Sequence, residues 1–122
     1  MFSYIISRLA SFGHAIRGLR ELIWSESHAR IHLSATVLVI CLGGLLSISA
    51  IECGLLLLAI GLVWVAEAIN TAIESVVDLC SPEWNKQAGR AKDLGAAAVL
   101  LAAATAVLVG LSVFLPRIIS FS

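Results

Sequence analysis

Charge is scarce in this chain. Asp, Glu, Lys and Arg make up 13% of its 122 residues, about half the share in an average soluble domain. The eight acidic and eight basic residues cancel to a formal net charge of zero, so there is no basic footprint and no nucleic-acid partner is expected. Cysteine is equally sparse. Cys41, Cys53 and Cys80 stand apart, with no CxxC and no Cys/His spacing, and read as small apolar fillers. Arg8, Arg17 and Arg20 break up the N-terminal apolar residues before an h-region can form, so no secretory signal peptide is expected. There is no internal repeat, linker or low-complexity tract. What is abundant is apolar: hydrophobic residues are 60% of the chain, far above the soluble average.

These apolar residues fall into runs of membrane length. Residues 33–51 carry no charge, about 19 residues that suit a hydrocarbon core roughly 30 Å thick. After Glu52, "CGLLLLAIGLVWVA" is too short to cross alone, but it continues as an apolar-faced helix through "EAINTAIESVV". The polar stretch "DLCSPEWNKQAGRAKD" follows and reads as a loop, with Pro82 as its turn punctuation. A third run, 94–115, has about 22 residues and ends at Pro116.

The first 25 residues differ. Ile5, Leu9, Phe12, Ile16, Leu19 and Ile23 recur at steps of three and four, one stripe of a helix. Ser7, Ser11, His14, Gly18, Glu21 and Ser25 fall mostly opposite. This pattern fits an amphipathic helix lying on the membrane surface better than a span; a soluble amphipathic helix is the alternative. The expected fold is thus an all-α integral membrane protein, one domain over 1–122. A surface helix over 1–25 precedes three transmembrane helices over 31–51, 53–78 and 93–115. Trp24 suits a headgroup anchor, and Trp64 and Trp84 are interfacial or stacking candidates.

Basic residues set the orientation. Arg8, Arg17, Arg20 and Arg30 precede the first span, and Lys86, Arg90 and Lys92 lie between the second and third. The link between the first two spans has none, and the C-terminus has only Arg117. The positive-inside rule therefore predicts N-in and C-out in the cytoplasmic membrane. Ala98, Ala102, Ala106 and Gly110 form a small-residue stripe at intervals of four, a device for close helix approach in lipid. An abundance of alanine explains it almost as well. Three thin helices hardly enclose a site, so an oligomer is expected.

The polar residues of the second span share one face. Glu67, Asn70, Glu74 and Asp78 step by three, four and four, with Glu67 deepest and Asp78 at the cytoplasmic surface. Glu26 and Arg30 begin the first span at that level, and Lys92 and Asp93 begin the third. Five carboxylates and two cations thus converge at one depth. Carboxylates so close repel one another and lose hydration, and a divalent cation relieves both. Magnesium is usually held by one or two carboxylates plus phosphate oxygens, a half-site that Glu26 and Glu74 can supply. Lys92 would then meet phosphate as a point cation, and Glu67 is the candidate general base. Structural glue between helices, or snorkelling to headgroups, is the competing explanation. It suits a single acid better than a constellation, because ionisable groups inside a membrane are expensive.

Other patterns are weaker. "GRAKDLG" resembles a phosphate loop only superficially, lacking GxxxxGK[ST] and any preceding strand, and no protein-kinase signature set appears. His28 and His32 are one turn apart and could suit a metal; without the HExxH glutamate, interfacial hydrogen bonding is the better account.

At these residues the sequence resembles the bacterial membrane diacylglycerol kinase and undecaprenol kinase family. The likeness covers nearly the whole chain, from "SFGHAIRGLRELIWSESHARIHL" through "EAINTAIESVVDL" and "GRAKDLGAAAVLL" to "GLSVFLPRI". The block E-x-x-N-x-A-I-E-x-x-V-D followed by A-K-D is its most specific part. The resemblance implies a homotrimeric integral membrane kinase that transfers the γ-phosphate of MgATP to a lipid alcohol at the cytoplasmic interface. By position it implies Glu67 as catalytic base, Asn70 as its support, and Glu26 and Glu74 as the residues that hold magnesium with ATP. It also implies that Lys92 and Asp93 bind the nucleotide, with Asp78 beside them and Glu83, Trp84 and Asn85 on the loop that covers it. His14 occupies a nucleotide-contacting position that is often aromatic. Where the family has an N-terminal arginine, Ser7 aligns and Arg8 is adjacent. Arg20 and Arg30 line the side from which lipid substrate arrives. "ARIHL" and "FLPRI" are closer to the undecaprenol branch than to the diacylglycerol branch.

Two readings from other classes compete. A small proton-coupled transporter would need polar groups through the full membrane depth, and the halves away from the cytoplasm are bare. A non-catalytic oligomeric membrane protein would explain the small-residue stripe but not Lys92 and Asp93 beside the glutamates.

Overall fold

The structure, a computed structural model, describes residues 2–120, with side chains from Ala10 onward. Among the described residues the chain forms four helices: α1 (Phe2–Ser25), α2 (Ser27–Leu45), α3 (Ala50–Cys80) and α4 (Lys86–Ser120). The last three are long and apolar enough to cross a membrane. This is the expected all-α architecture of one leading helix and three spans.

The α1 stripe faces away from the bundle. Phe12, Ile16 and Leu19 are exposed, an open apolar face of the kind that enters the headgroup boundary. The helix instead docks through Leu22, buried near its C-terminus. Its stripe residues Ile5 and Leu9 lie outside the described side chains. The break to α2 falls at Glu26, whose extended backbone occupies the N-cap position without a side-chain capping bond. Glutamate is too long to be a favoured cap, so its carboxylate is left for other work.

The first span is shifted from the charge-free run. It starts at Ser27 and ends at Leu45, because helical geometry accepts His28, Arg30 and His32 at the interface, whereas charge counting does not. At its outer end Ser47 adopts a left-handed φ of 49°, which costs a non-glycine residue about 1–2 kcal/mol. The turn is worth that cost because Ser49 then caps α3. Its hydroxyl accepts from the Glu52 amide, and the Glu52 carboxylate accepts from the Ser49 amide, a complete capping box.

The stretch 78–93 is mostly helix rather than loop. Only 81–85 interrupts it. Pro82 forces Ser81 out of the helical region, to φ −140° and ψ 72°. Asn85 restarts the helix by accepting from the Ala88 amide at 2.8 Å. The third span likewise does not stop at Pro116. Proline removes the ladder hydrogen bond to the Ser112 carbonyl, a loss that membrane helices tolerate. Beside it Ser112 Oγ donates to the Val109 carbonyl and Arg117 Nη1 to that of Val113, and α4 continues to Ser120.

α3 and α4 pack as the dominant pair. The core is thin and lies in the outer half: Leu56, Val113 and Phe114, with Val39, Leu42, Leu46, Ile48 and Val109 against them. Most large apolar side chains stay exposed, as expected where lipid or another copy covers them. Of the small-residue stripe, Ala102 is buried and Ala106 and Gly110 are half-buried, while Ala98 is exposed.

Candidate active site

The placement of the polar face follows from helix rise. At 1.5 Å per residue from Ala50, Glu67 stands ~25 Å along α3, Glu74 ~36 Å and Asp78 ~42 Å. Measured from Ala50, Glu67 falls within one hydrocarbon-core length of about 30 Å, and the other two lie beyond it.

Glu67 is only 3% exposed, the one buried charged or polar residue among those described. Its Oε2 is 3.8 Å from Nε2 of His32 on α2. One turn outward, the indole N–H of Trp64 donates to Thr36 Oγ1 at 3.1 Å, and that hydroxyl donates to the His32 carbonyl at 2.7 Å. α2 and α3 are therefore joined by two polar rungs one turn apart.

Asn70 does not reach toward Glu67. Its Nδ2 donates to Glu74 Oε1 at 3.2 Å, so the amide orients the carboxylate nearer water rather than the candidate base. Its Oδ1 is buried without a partner and lies against Gly95 of α4, where a Cβ would overlap it. Glycine is needed at 95 for this approach.

Farther out, Lys92 Nζ pairs with Asp78 at 2.5 Å, tying the inner ends of α3 and α4 together. Asp93 is exposed; a step of 100° turns it from the face that carries Lys92. In the connecting segment Glu83 and Trp84 are exposed. Asn85 is committed to structure, donating to Ser81 Oγ as well as capping α4.

Glu26 opens into a groove of about 650 Å³ between the end of α1 and the face of α3 bearing Ala68, Thr71 and Ser75. That face adjoins the Glu67–Glu74 face. On α1, Arg17 donates to His14 Nδ1 at 2.6 Å, and Arg20 lines a shallow cleft with Arg17, Glu21 and Trp24. Arg30 Nη1 donates to the Trp24 carbonyl at 3.2 Å, bracing α1 against α2. The side chains of Ser7 and Arg8 lie outside the described residues. Among the described residues no three His, Cys, Asp or Glu side chains converge as a full metal cage.

Two features escape a reading of single segments. His32 lies 3.8 Å from Glu67, while His28 is exposed; only antiparallel pairing of the first two spans reveals that neighbour. At the outer end Arg117 forms two parallel bonds of 2.7 Å to the carboxylate of Glu52. The S-x-x-E spacing of Ser49 and Glu52 was a legible signal for the cap, though not for the arginine.

The profile of the prokaryotic diacylglycerol kinase family matches residues 13–114. The undecaprenol kinase of Bacillus subtilis is 38% identical over 108 residues, covering 88% of each chain. A diacylglycerol kinase of Synechocystis is 42% identical over 113 residues, covering 92% of this chain and 65% of that one. The diacylglycerol kinase of Escherichia coli is 38% identical over 96 residues, 79% of each. The chain belongs to the prokaryotic diacylglycerol kinase family, whose members are membrane lipid kinases.

Proposed function

We propose that this protein transfers the γ-phosphate of ATP to the primary hydroxyl of a membrane lipid alcohol at the cytoplasmic face, with undecaprenol preferred over diacylglycerol. One observation carries the reading: a carboxylate 3% exposed within the apolar length of α3, with Glu74 and Asp78 following it on the same helix face towards the polar end. A lipid hydroxyl and a nucleotide can meet only at such a boundary.

Glu67 takes the proton of the lipid hydroxyl as its oxygen attacks the γ-phosphorus in line, and no phosphoenzyme forms. Lys92 of α4, paired with Asp78 at the far end of that face, offers its charge to the phosphates. Catalysis of this kind is positioning plus charge stabilisation. A cation fits the donors present. Glu74 is half-buried, all-oxygen, and accepts one hydrogen bond, from Asn70, so it keeps lone pairs for a hard ion. Glu74 and Glu26 are the residues that would hold magnesium. When bound, it supplies charge neutralisation at the phosphate oxygens.

An apolar groove of about 360 Å³ between α2, α3 and α4 ends at His32 beside Glu67 and supports a long hydrocarbon substrate. The undecaprenol preference rests on the Bacillus subtilis relative, matched over 88% of both chains, and on the "ARIHL" and "FLPRI" segments. Glu26 faces the neighbouring side of α3, and the wide exposed apolar surface supports a homotrimer that completes the nucleotide site. The test is ADP release by the purified protein, given undecaprenol or diacylglycerol. Release with undecaprenol exceeding that with diacylglycerol is expected. No lipid-dependent release would refute the kinase reading, and faster diacylglycerol turnover would reverse the substrate order.

A further inference from the structure

Buried carboxylates rarely stand alone, since an unpaired charge away from water is costly. Among the described residues, Glu67 receives no hydrogen bond and faces one cationic-capable side chain, His32, at 3.8 Å. His32 is itself 19% exposed and forms the inner end of the apolar groove, where Thr36 is the other polar lining residue. Glu67 does not line that groove. The imidazole therefore stands at the seam between the hydrocarbon channel and the acid.

Its place is fixed from behind. Thr36 Oγ1 donates to the His32 carbonyl, and Trp64, one turn from Glu67 on α3, donates to the same hydroxyl. This rung holds α2 in register with α3 and keeps the ring opposite the carboxylate. With the proton on Nε2, the ring donates toward Oε2. A separation of 3.8 Å exceeds a hydrogen bond, but catalytic bonds are commonly long before substrate arrives and tighten in the reacting complex.

We propose that His32 is a positioning residue of the phosphoryl-transfer site, whose Nε2–H orients the Glu67 carboxylate toward the lipid hydroxyl delivered by the groove. The proposal rests on Glu67 being the base. It assigns His32 no metal, and it separates His32 from His28, which is exposed.

The experiment compares the unmodified protein with His32→Leu and His32→Gln, each as the full chain in detergent with undecaprenol. Leucine keeps the apolar lining and removes the donor. Glutamine restores an N–H at similar reach. The expected result is a fall in kcat of about 10–100-fold for His32→Leu, the scale of a misplaced reacting group. KM for ATP should stay unchanged, and His32→Gln should recover much of kcat. An unchanged kcat in His32→Leu, or a loss that glutamine does not rescue while both variants stay folded, would overturn the proposal. Should the variants not fold, the ring nitrogens of His32 are followed by NMR in the unmodified protein and in Glu67→Gln: a shifted Nε2 signal supports the contact, and an unmoved one overturns it. An unmodified protein that releases no ADP with any lipid alcohol would instead defeat the kinase reading on which this depends.

Discussion

Gly95 of α4 is seated so closely on Asn70 of α3 that the amide occupies the space a side chain would need. The same amide donates to Glu74, so a backbone contact between two helices sets the direction of a carboxylate one turn away. The site is thereby tied to helix packing, and small changes far from the chemistry should reach it.

Gly95→Ala should displace Asn70 and loosen its bond to Glu74. Overpacking of this kind costs about 1–3 kcal/mol. A lower melting temperature is expected together with a raised KM for MgATP. Thermal denaturation and initial rates on one preparation check both, and wild-type values for the two would remove Gly95 from its role.

Glu67→Gln keeps the shape of the side chain and removes the proposed base. Turnover should fall by about 10²–10⁴-fold, the usual contribution of general-base catalysis. Nucleotide affinity, measured by calorimetry, should be nearly unchanged. A variant that turns over normally would move the base elsewhere.

Glu74→Ala removes an oxygen donor and leaves the Asn70 amide without its acceptor. Magnesium-dependent ATP binding should weaken. The apparent magnesium affinity, read from rates at fixed ATP, should fall by about tenfold or more, as one lost charge-assisted contact implies. Glu26→Ala should act in the same direction, and a variant with an unaltered magnesium response would be discarded as a ligand.

At the other end, Glu52 and Arg117 form a forked pair, 25% and 24% exposed. Arg117→Met should lower thermal stability while leaving turnover per folded molecule intact. The double change Arg117→Met with Glu52→Gln should regain part of the loss, because no uncompensated carboxylate remains. A double-variant melting series measures the coupling directly.

The helices were legible because their signals are local: charge-free length, the stripe of α1, and the three-four-four spacing from Glu67 to Asp78. Their ends were less so. The break before Ser27 falls at an extended Glu26, and the one after Leu45 leads into a left-handed Ser47, neither of which appears in a hydropathy run. The polar stretch 78–93 reads as loop because helix and loop share polar residues at a membrane surface, and Asn85 decides between them. Glu67 and Glu74 stood out in the sequence by the cost of a carboxylate in lipid. His32 was visible only as half of a possible histidine pair, since its partner is 35 positions away in sequence. Orientation relative to Glu26 was beyond reach for a similar reason: it depends on which side of α3 faces α1.

The Glu52–Arg117 pair has a further effect on how the protein resides in its bilayer. Among the described residues these are the only charged side chains at the end of the spans that holds the α2–α3 turn, and joined by two 2.7 Å bonds they leave no net side-chain charge there. The trailing arginine, which alone would add a positive charge at that end, is neutralised by its partner. The charged groups of the polar face, Glu74, Asp78 and Lys92, gather at the opposite end of the spans, where the proposed nucleotide site lies.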